Sequence, residues 1–377
     1  VALMPEGRAR RPAEAGRIQV IDALRGVAAL SVLGFHLLRS SPQAKVLAAT
    51  FPRFLDGAFD YSRSGVAIFF VISGFVIAYT TRSIDWSGRS AGRFIARRQL
   101  RLDPPYYAAM ALVLVSSVVK RLIPGLVYQT FTAREVLVNM VYLQGILNVP
   151  AVLDVSWTLC LEVQFYLFVL LAGVVAAWLS KRRQLGGSQV LALAAGVVSL
   201  ALYGSGTSVD GWFIGLWWMF CTGMVVCWYF VGRVTRSLTL GWFAATLVMC
   251  IAAAAGWGGA DPWLGEWVAL GTGLLLFALV EARRTAWVPP RILLFFGTIS
   301  YSLYLVHLPV IDVVMAAGYK AFGQSRAGAV LCWVAGAAGS IAAAWVLHRA
   351  VEAPAIRWAR RVRAPERLAQ EPDLAPS

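Results

Sequence analysis

Apolar runs of about 18 to 22 residues recur from one end of the chain to the other, broken by short stretches where arginine, proline, glycine and serine collect. As a helix, such a run matches the hydrocarbon thickness of a bilayer. Runs begin near Ile18, Gly65, Asp103, Trp157, Gln189, Trp212, Leu238, Trp263, Ile292 and Ala327, which predicts about ten membrane-spanning helices. A further apolar stretch, EVLVNMVYLQGILNV from Glu135, is shorter and carries Asn139, Gln144 and Asn148.

Charge decides how that stretch is read. If it stays on one face and the N-terminus is cytoplasmic, most of the 34 Lys and Arg residues fall on the cytoplasmic side. They lie in the N-terminal segment, between Arg82 and Arg101, in the KRR cluster from Lys181, at Arg233 and Arg236, at Arg283, Arg284 and Arg291, and in the C-terminal tail. That is the bias cytoplasmic loops carry. Arg39, Lys45, Arg53 and Arg63 in the first outer loop run against it, but a crossing at Glu135 would put the KRR cluster outside as well. The expected fold is an all-α polytopic membrane protein with both termini cytoplasmic and residues 124–156 as an outer or re-entrant segment. Residues 1–17 form a basic N-terminus, 18–356 one membrane domain and 357–377 a short basic tail. The basic start imitates a signal peptide, yet the helix after it is long and has no small-residue cleavage site, so it is read as a span. No internal repeat or matched pair of broken helices appears, which weakens a transport reading.

Composition sharpens this in three ways. With 59% hydrophobic and 14% charged residues and a mean hydropathy of +0.67, the chain lies outside the range of soluble domains. Its net charge of +15 sits in clusters between spans rather than along one stripe, so nucleic acid is not an expected partner. The five cysteines fall in apolar runs without metal-ligand spacing, so neither a metal site nor a disulfide framework is expected.

Ionisable residues inside the spans carry the candidate chemistry. In IDALRGVAALSVLGFH, from Ile21, the helical period brings Asp22, Arg25 and His36 onto one face, with His36 about 16 Å beyond Arg25. Each such residue costs roughly 2.5 to 3.5 kcal/mol at mid-membrane, so the stripe needs partners or a polar cavity. Asp22 and Arg25 have the spacing of a structural ion pair. In RRQLRLDPPYY, Arg98 and Arg101 either anchor a span end or form a phosphate fork. VSWTLCLEVQFYLF places Glu162 at about the depth of His36, where the two suit an acid/base pair. ISYSLYLVHLPV supplies Ser300, Tyr301, Tyr304 and His307, with His307 open to a core or a functional role. Ser73 and Gly74 in the second run read as a packing notch, and Glu352 in HRAVEAP as part of a helix stop at the inner face without chemistry.

Taken in order, these segments resemble the membrane-bound acyltransferase-3 family, and more loosely its bacterial exopolysaccharide O-acetyltransferases, over nearly the whole chain. The resemblance implies a multi-pass enzyme of the bacterial cytoplasmic membrane. Such an enzyme takes an acyl group, usually acetyl, from cytoplasmic acyl-CoA as co-substrate, with no bound cofactor, and delivers it to a hydroxyl of a saccharide-containing acceptor. By the same resemblance His36 and Glu162 are the catalytic candidates, and Arg98 with Arg101 match the family's Arg-x-x-Arg pair. With Arg25 these form the acyl-CoA-binding candidates, and Ser300, Tyr301 and His307 are the candidates for oxyanion or acceptor contacts. Three positions depart from the family pattern: Asp103 for an aromatic residue, Cys160 for a serine and Val163 for a second acidic residue. The rival from another class is a carrier or flippase for a lipid-linked sugar that uses the same residues as a proton relay. A blander third reading is a membrane scaffold in polysaccharide assembly.

Overall fold

The computed structural model describes residues 12–39, 46–47, 57, 59, 61–84, 86–123, 127–179, 186–207, 210–257, 264–282 and 288–362, with side chains in the first helix from Gln19 onward. The N-terminal segment before Pro12, the KRR cluster from Lys181, Arg283 with Arg284, and the tail beyond Val362 lie outside the described residues. Ordered along the chain are α1 (Pro12–Arg39), α2 (Gly65–Thr81), α3 (Gly88–Arg121), α4 (Ala133–Met140), α5 (Trp157–Leu179) and α6 (Gly186–Gly204). They are followed by α7 (Trp217–Phe230), α8 (Arg236–Ala254), α9 (Gly265–Glu281), α10 (Arg291–Phe322), α11 (Arg326–Leu347) and α12 (Ala353–Arg361). Among the described residues nine helical segments are long and apolar enough to cross a membrane. A tenth, α9, has 17 residues and reaches about 25 Å, at the short end for a span. The chain is therefore an all-α, multi-pass membrane protein whose helices start close to where the apolar runs start.

Glycines set the closest crossings. α2 and α7 are apolar on every side and almost wholly buried, which places them at the centre of the bundle. They touch backbone to backbone: a Cβ on Gly74 would overlap the carbonyl of Phe220, and one on Gly223 that of Val71. α1 and α10 meet in the same way, Gly26 against the carbonyl of Leu293 and Gly297 against that of Asp22. These two helices run parallel, so α1 begins at the end of the bundle where α10 begins. α12 ends there too, since Arg97 near the start of α3 donates to the carbonyl of Val362 at 2.9 Å. That end is the near face and the opposite end the far face.

The polar stretch from Glu135 does not cross. Its helix, α4, has eight residues, about 12 Å, and is held at its start by a capping box between Thr132 and Glu135. The chain then folds back along α3, where Tyr106 donates to the carbonyl of Asn139 (3.1 Å), Tyr107 to that of Met140 (3.0 Å) and Tyr142 to Asp103 (2.8 Å). Burial raises the Tyr142 phenol above its usual range, so it keeps the proton it donates. Tyr106 lies 15 residues before the far end of α3, a re-entry of about 22 Å. Irregular backbone at such a place must be satisfied by protein, and Asn139 does this. Fully buried, it donates to the carbonyls of Glu135 (2.8 Å) and Pro150 (2.9 Å) and accepts from the amide of Val152 (3.0 Å). Gln144 is buried as well and donates to Ser156. Both amides are thus turned into the protein and away from any outside ligand; Asn148 alone of the three is exposed.

Asn139→Ala should cost about 2 to 4 kcal/mol, three buried hydrogen bonds at roughly 1 kcal/mol each with groups left unpaired, and appear as a lowered Tm in detergent. Asn148→Ala should leave Tm within a degree or so. Equal Tm values for the two variants would contradict the structural role of Asn139.

Candidate functional site

A cavity opens between α1, α2, α3, α5 and α10. Arg25, from α1, and Arg98 and Arg101, three apart on α3, converge on it, together with Glu162 from α5. The predicted arginine set is thus one cluster, although its members lie far apart in sequence. Arg98 donates to Thr80 Oγ1 at 2.9 Å and lies 5.3 Å from the centroid of the Tyr166 ring. Glu162 accepts from Ser73 (3.2 Å) and from the hydroxyl of Tyr166. Among the described residues, neither Arg25 nor Arg101 donates a hydrogen bond to the protein, and both line the space. Three guanidinium groups against one lining carboxylate give the cavity a net positive charge inside a low-dielectric bundle. Such a site favours a multiply charged anion.

A second carboxylate stands behind the arginines. Glu352 is 2% exposed, accepts from Ser302 (2.6 Å) and pairs with His348 (3.0 Å), within electrostatic reach of Arg25 and Arg101. The helix-stop reading of HRAVEAP is therefore corrected: the helix continues through a π-turn, His348–Glu352, into α12. Pro354 has no N–H to give and its ring crowds the preceding turn, which a wider turn accommodates. The i,i+4 spacing of His348 and Glu352 was the available signal. Ser73, read as a packing residue, belongs to the site through Glu162. Asp22 forms no direct salt bridge with Arg25 and acts on it through space, because the α1 backbone at Asp22 is pressed against Gly297. Asp103 does not oppose the arginines: it is turned to Tyr142 and Gln99.

The end of the cavity toward the far face is a neutral layer. The hydroxyl of Tyr304 bonds Thr158 Oγ1 (2.8 Å) and the carbonyl of Val155 (3.1 Å), and its ring stacks edge-on to Phe69, 5.7 Å between centroids. One turn farther on α10, His307 meets His36, Nε2 to Nδ1 at 3.1 Å. His36 and Glu162 do not touch. From Glu162 to Thr158 and from Tyr304 to His307 is seven residues of helix, about 10 Å. The two were expected at one depth because each was measured from its own helix end. The start of α5 is recessed, with Val155 level with Tyr304, while α10 continues to Phe322.

Hydrogen-bond logic settles the histidine tautomers. His307 Nδ1 lies 2.9 Å from the carbonyl of Leu303; a carbonyl only accepts, so Nδ1 carries the proton and neutral His307 offers Nε2 as acceptor. His36 Nδ1 faces both that Nε2 and the carbonyl of Val32, at 2.9 Å, so it too carries the proton. Among the described residues the bare Nε2 of His36 has no hydrogen-bond partner. The other predicted donors are occupied: Ser300 donates to the carbonyl of Gly297 and Tyr301 to that of Leu102, each at 2.9 Å. Hydroxyls inside a membrane helix commonly satisfy backbone carbonyls in this way, and it leaves neither a free hydrogen for an oxyanion.

A family model described as an acyltransferase domain, that of the acyltransferase-3 family, matches residues 18–349. The chain belongs to this acyltransferase family. A relative, nodulation protein 10 of Rhizobium leguminosarum bv. viciae, is 27% identical over 325 residues, covering 79% of this chain and 83% of its own length. No solved structure matches the chain. The protein is thus a membrane acyltransferase, and the segments that carried the family resemblance contribute residues to the cavity and the histidine pair, with Glu352 of the last one behind the arginines.

The acyltransferase has three histidines, so ¹⁵N-histidine spectra near neutral pH can test the assignment. His36 and His307 should both appear as the Nδ1–H tautomer, and His307→Phe should shift the His36 signals. An Nε2–H tautomer at His36 would refute the assignment.

Proposed function

We propose that this acyltransferase moves an acetyl-sized acyl group from cytoplasmic acyl-CoA to a hydroxyl of a saccharide-containing acceptor in a bacterial cytoplasmic membrane. The observation that carries the reading is the pairing of a three-arginine cavity with an imidazole whose Nε2 is left unprotonated by the Nδ1 contacts and meets no partner among the described residues. The positive cavity suits the phosphates of the donor, and its hydroxyl- and aromatic-lined end suits an uncharged acyl arm. Arg82, Arg89, Arg93, Arg233, Arg291, Arg357 and Arg360 cluster toward the near face, which supports a cytoplasmic assignment for that face and an outer one for the acceptor side.

In this mechanism Arg25, Arg98 and Arg101 bind and orient the donor, with Glu162 and Glu352 limiting their mutual repulsion. His36 Nε2 removes the proton of the acceptor hydroxyl as its oxygen attacks the thioester carbonyl. Collapse of the tetrahedral intermediate breaks the C–S bond, and the imidazolium returns the proton to the leaving thiolate, giving ester and free CoA. Accepting from His36 Nδ1–H, His307 holds the base in the working tautomer, the orienting task a carboxylate has in a hydrolase triad. Glu162 thus serves the donor site rather than the base.

The experiment is thiol release from acetyl-CoA by the protein in nanodiscs, with surface glycan as acceptor and product mass read for one added acetyl. His36→Ala should lower kcat about 10²- to 10⁴-fold with little change in donor KM. Arg98→Ala and Arg101→Ala should each raise donor KM at least about tenfold, the worth of a charge-assisted hydrogen bond. Wild-type thiol release by His36→Ala would overturn the mechanism.

A further inference from the structure

A second, smaller crevice opens nearer the near face between α2, α5, α6 and α7. It is reached along the same two helices that wall the arginine cavity. On α5 the cavity takes Glu162 and Tyr166 and the crevice takes Val169 and Ala172; on α2 the cavity takes Ser73 and Val76 and the crevice Ala78 and Thr81. From Tyr166 to Ala172 is about 9 Å of helix rise. An aromatic series bridges the two spaces, with ring centroids 6.4 Å apart from Tyr166 to Phe94 and 6.3 Å from Phe94 to Trp86. Arg98 lies over the Tyr166 and Phe94 rings of that series.

The crevice has a chemistry of its own. Trp86 holds a left-handed backbone conformation, φ 53°, and its indole is seated against Gly173, where a Cβ would overlap the ring. A non-glycine residue in that conformation persists only where its surroundings enforce it. Gln189, from α6, also lines the crevice, and its amide nitrogen is sealed from solvent with no hydrogen-bond partner. Leaving such a donor unmet is unfavourable, and a ligand acceptor would relieve it. Arg233 brings a positive charge to the same wall.

We infer that this crevice binds the purine-nucleotide end of the acyl donor, the base held by the Gln189 amide and the Trp86 indole. The inference rests on the acyl-CoA reading above and extends it. A carboxamide paired with an aromatic ring suits a base that presents ring-nitrogen acceptors at its edge and a π face. Charge at Arg233 suits a phosphate on the ribose. From the near face inward, the spaces run aromatic amide, triple arginine, neutral hydroxyl layer, imidazole pair. An acyl-CoA runs base, phosphates, uncharged arm, thioester. The two orders coincide.

Comparing acetyl-CoA with acetylpantetheine, which lacks the nucleotide, tests this. Gln189→Leu should raise KM for acetyl-CoA about tenfold while KM for acetylpantetheine and kcat with both donors stay unchanged; retained turnover of acetylpantetheine also shows that the variant folds. Adenosine 3′,5′-bisphosphate should inhibit the wild type competitively against acetyl-CoA and lose at least tenfold in potency against Gln189→Leu. An unchanged KM for acetyl-CoA in Gln189→Leu, or equal inhibition of both proteins, would overturn the subsite while leaving the acyl-CoA reading intact. Absence of thiol release from either donor with the wild type would overturn both.

Discussion

The backbone contact between α1 and α10 governs the rest. With no side chain on Gly26 or Gly297, the two helices touch at Asp22 and Leu293, and a crossing that close tolerates little sliding. Parallel helices fixed at 26 and 297 come into register again ten residues on, about 15 Å, where His36 meets His307. The same contact sets Arg25 beside the crossing and Ser300 and Tyr301 one turn beyond it, all three lining one cavity. One pair of glycines therefore fixes both the position of the arginine cavity on α1 and the distance from it to the His36 imidazole.

A bundle with ionisable groups at its centre has to supply their partners from protein. At Glu162 the partners are hydroxyls, from Ser73 and Tyr166. At Glu352 they are Ser302 and His348. Among the described residues Arg25 and Arg101 have no hydrogen-bonded partner, and the two carboxylates moderate their repulsion without closing on them. Direct salt bridges would neutralise the cavity, whereas a charge held by distant carboxylates stays available to an incoming anion. The re-entrant segment follows the opposite strategy, with Asn139 and Gln144 drawn into internal bonds, so it serves as a wall rather than as a contact surface.

Hydropathy periodicity made the helices legible, because a span is a length requirement that no tertiary contact relaxes. Charge bias likewise kept the stretch from Glu135 on one face, as the short α4 and its fold-back show. Family motifs located Arg98, Arg101, Glu162 and His36. What the sequence left illegible was relative height. Counting residues from helix ends put Glu162 level with His36; the recessed start of α5 and the long reach of α10 separate them by about 10 Å, and His307 takes the position next to His36. Glu352 was hidden for a related reason, since a glutamate before a proline resembles a helix end unless the π-turn that carries it onward is visible. Ser73 was hidden by Gly74, whose packing role is real and sufficed to explain the pair.

The distance between the arginines and the imidazole is itself an argument about which substrate moves through the bundle. Hydroxyl-rich saccharide would need hydrogen-bonding groups all along a path between the faces, because each unpaired polar group costs several kcal/mol in an apolar surrounding. In the layer at the cavity's end toward the histidines the hydroxyls are already engaged: Tyr304 and Thr158 are bonded to each other, Val155 supplies a carbonyl to Tyr304, and Phe69 covers the ring. An uncharged acyl arm asks much less of that layer. On the proposed reading the donor's phosphates therefore stay with the arginines, only its arm passes Tyr304, and the acceptor is met at His36 from the far side. A bundle arranged in this way transfers an acyl group between two faces without carrying a sugar or a phosphate through its centre.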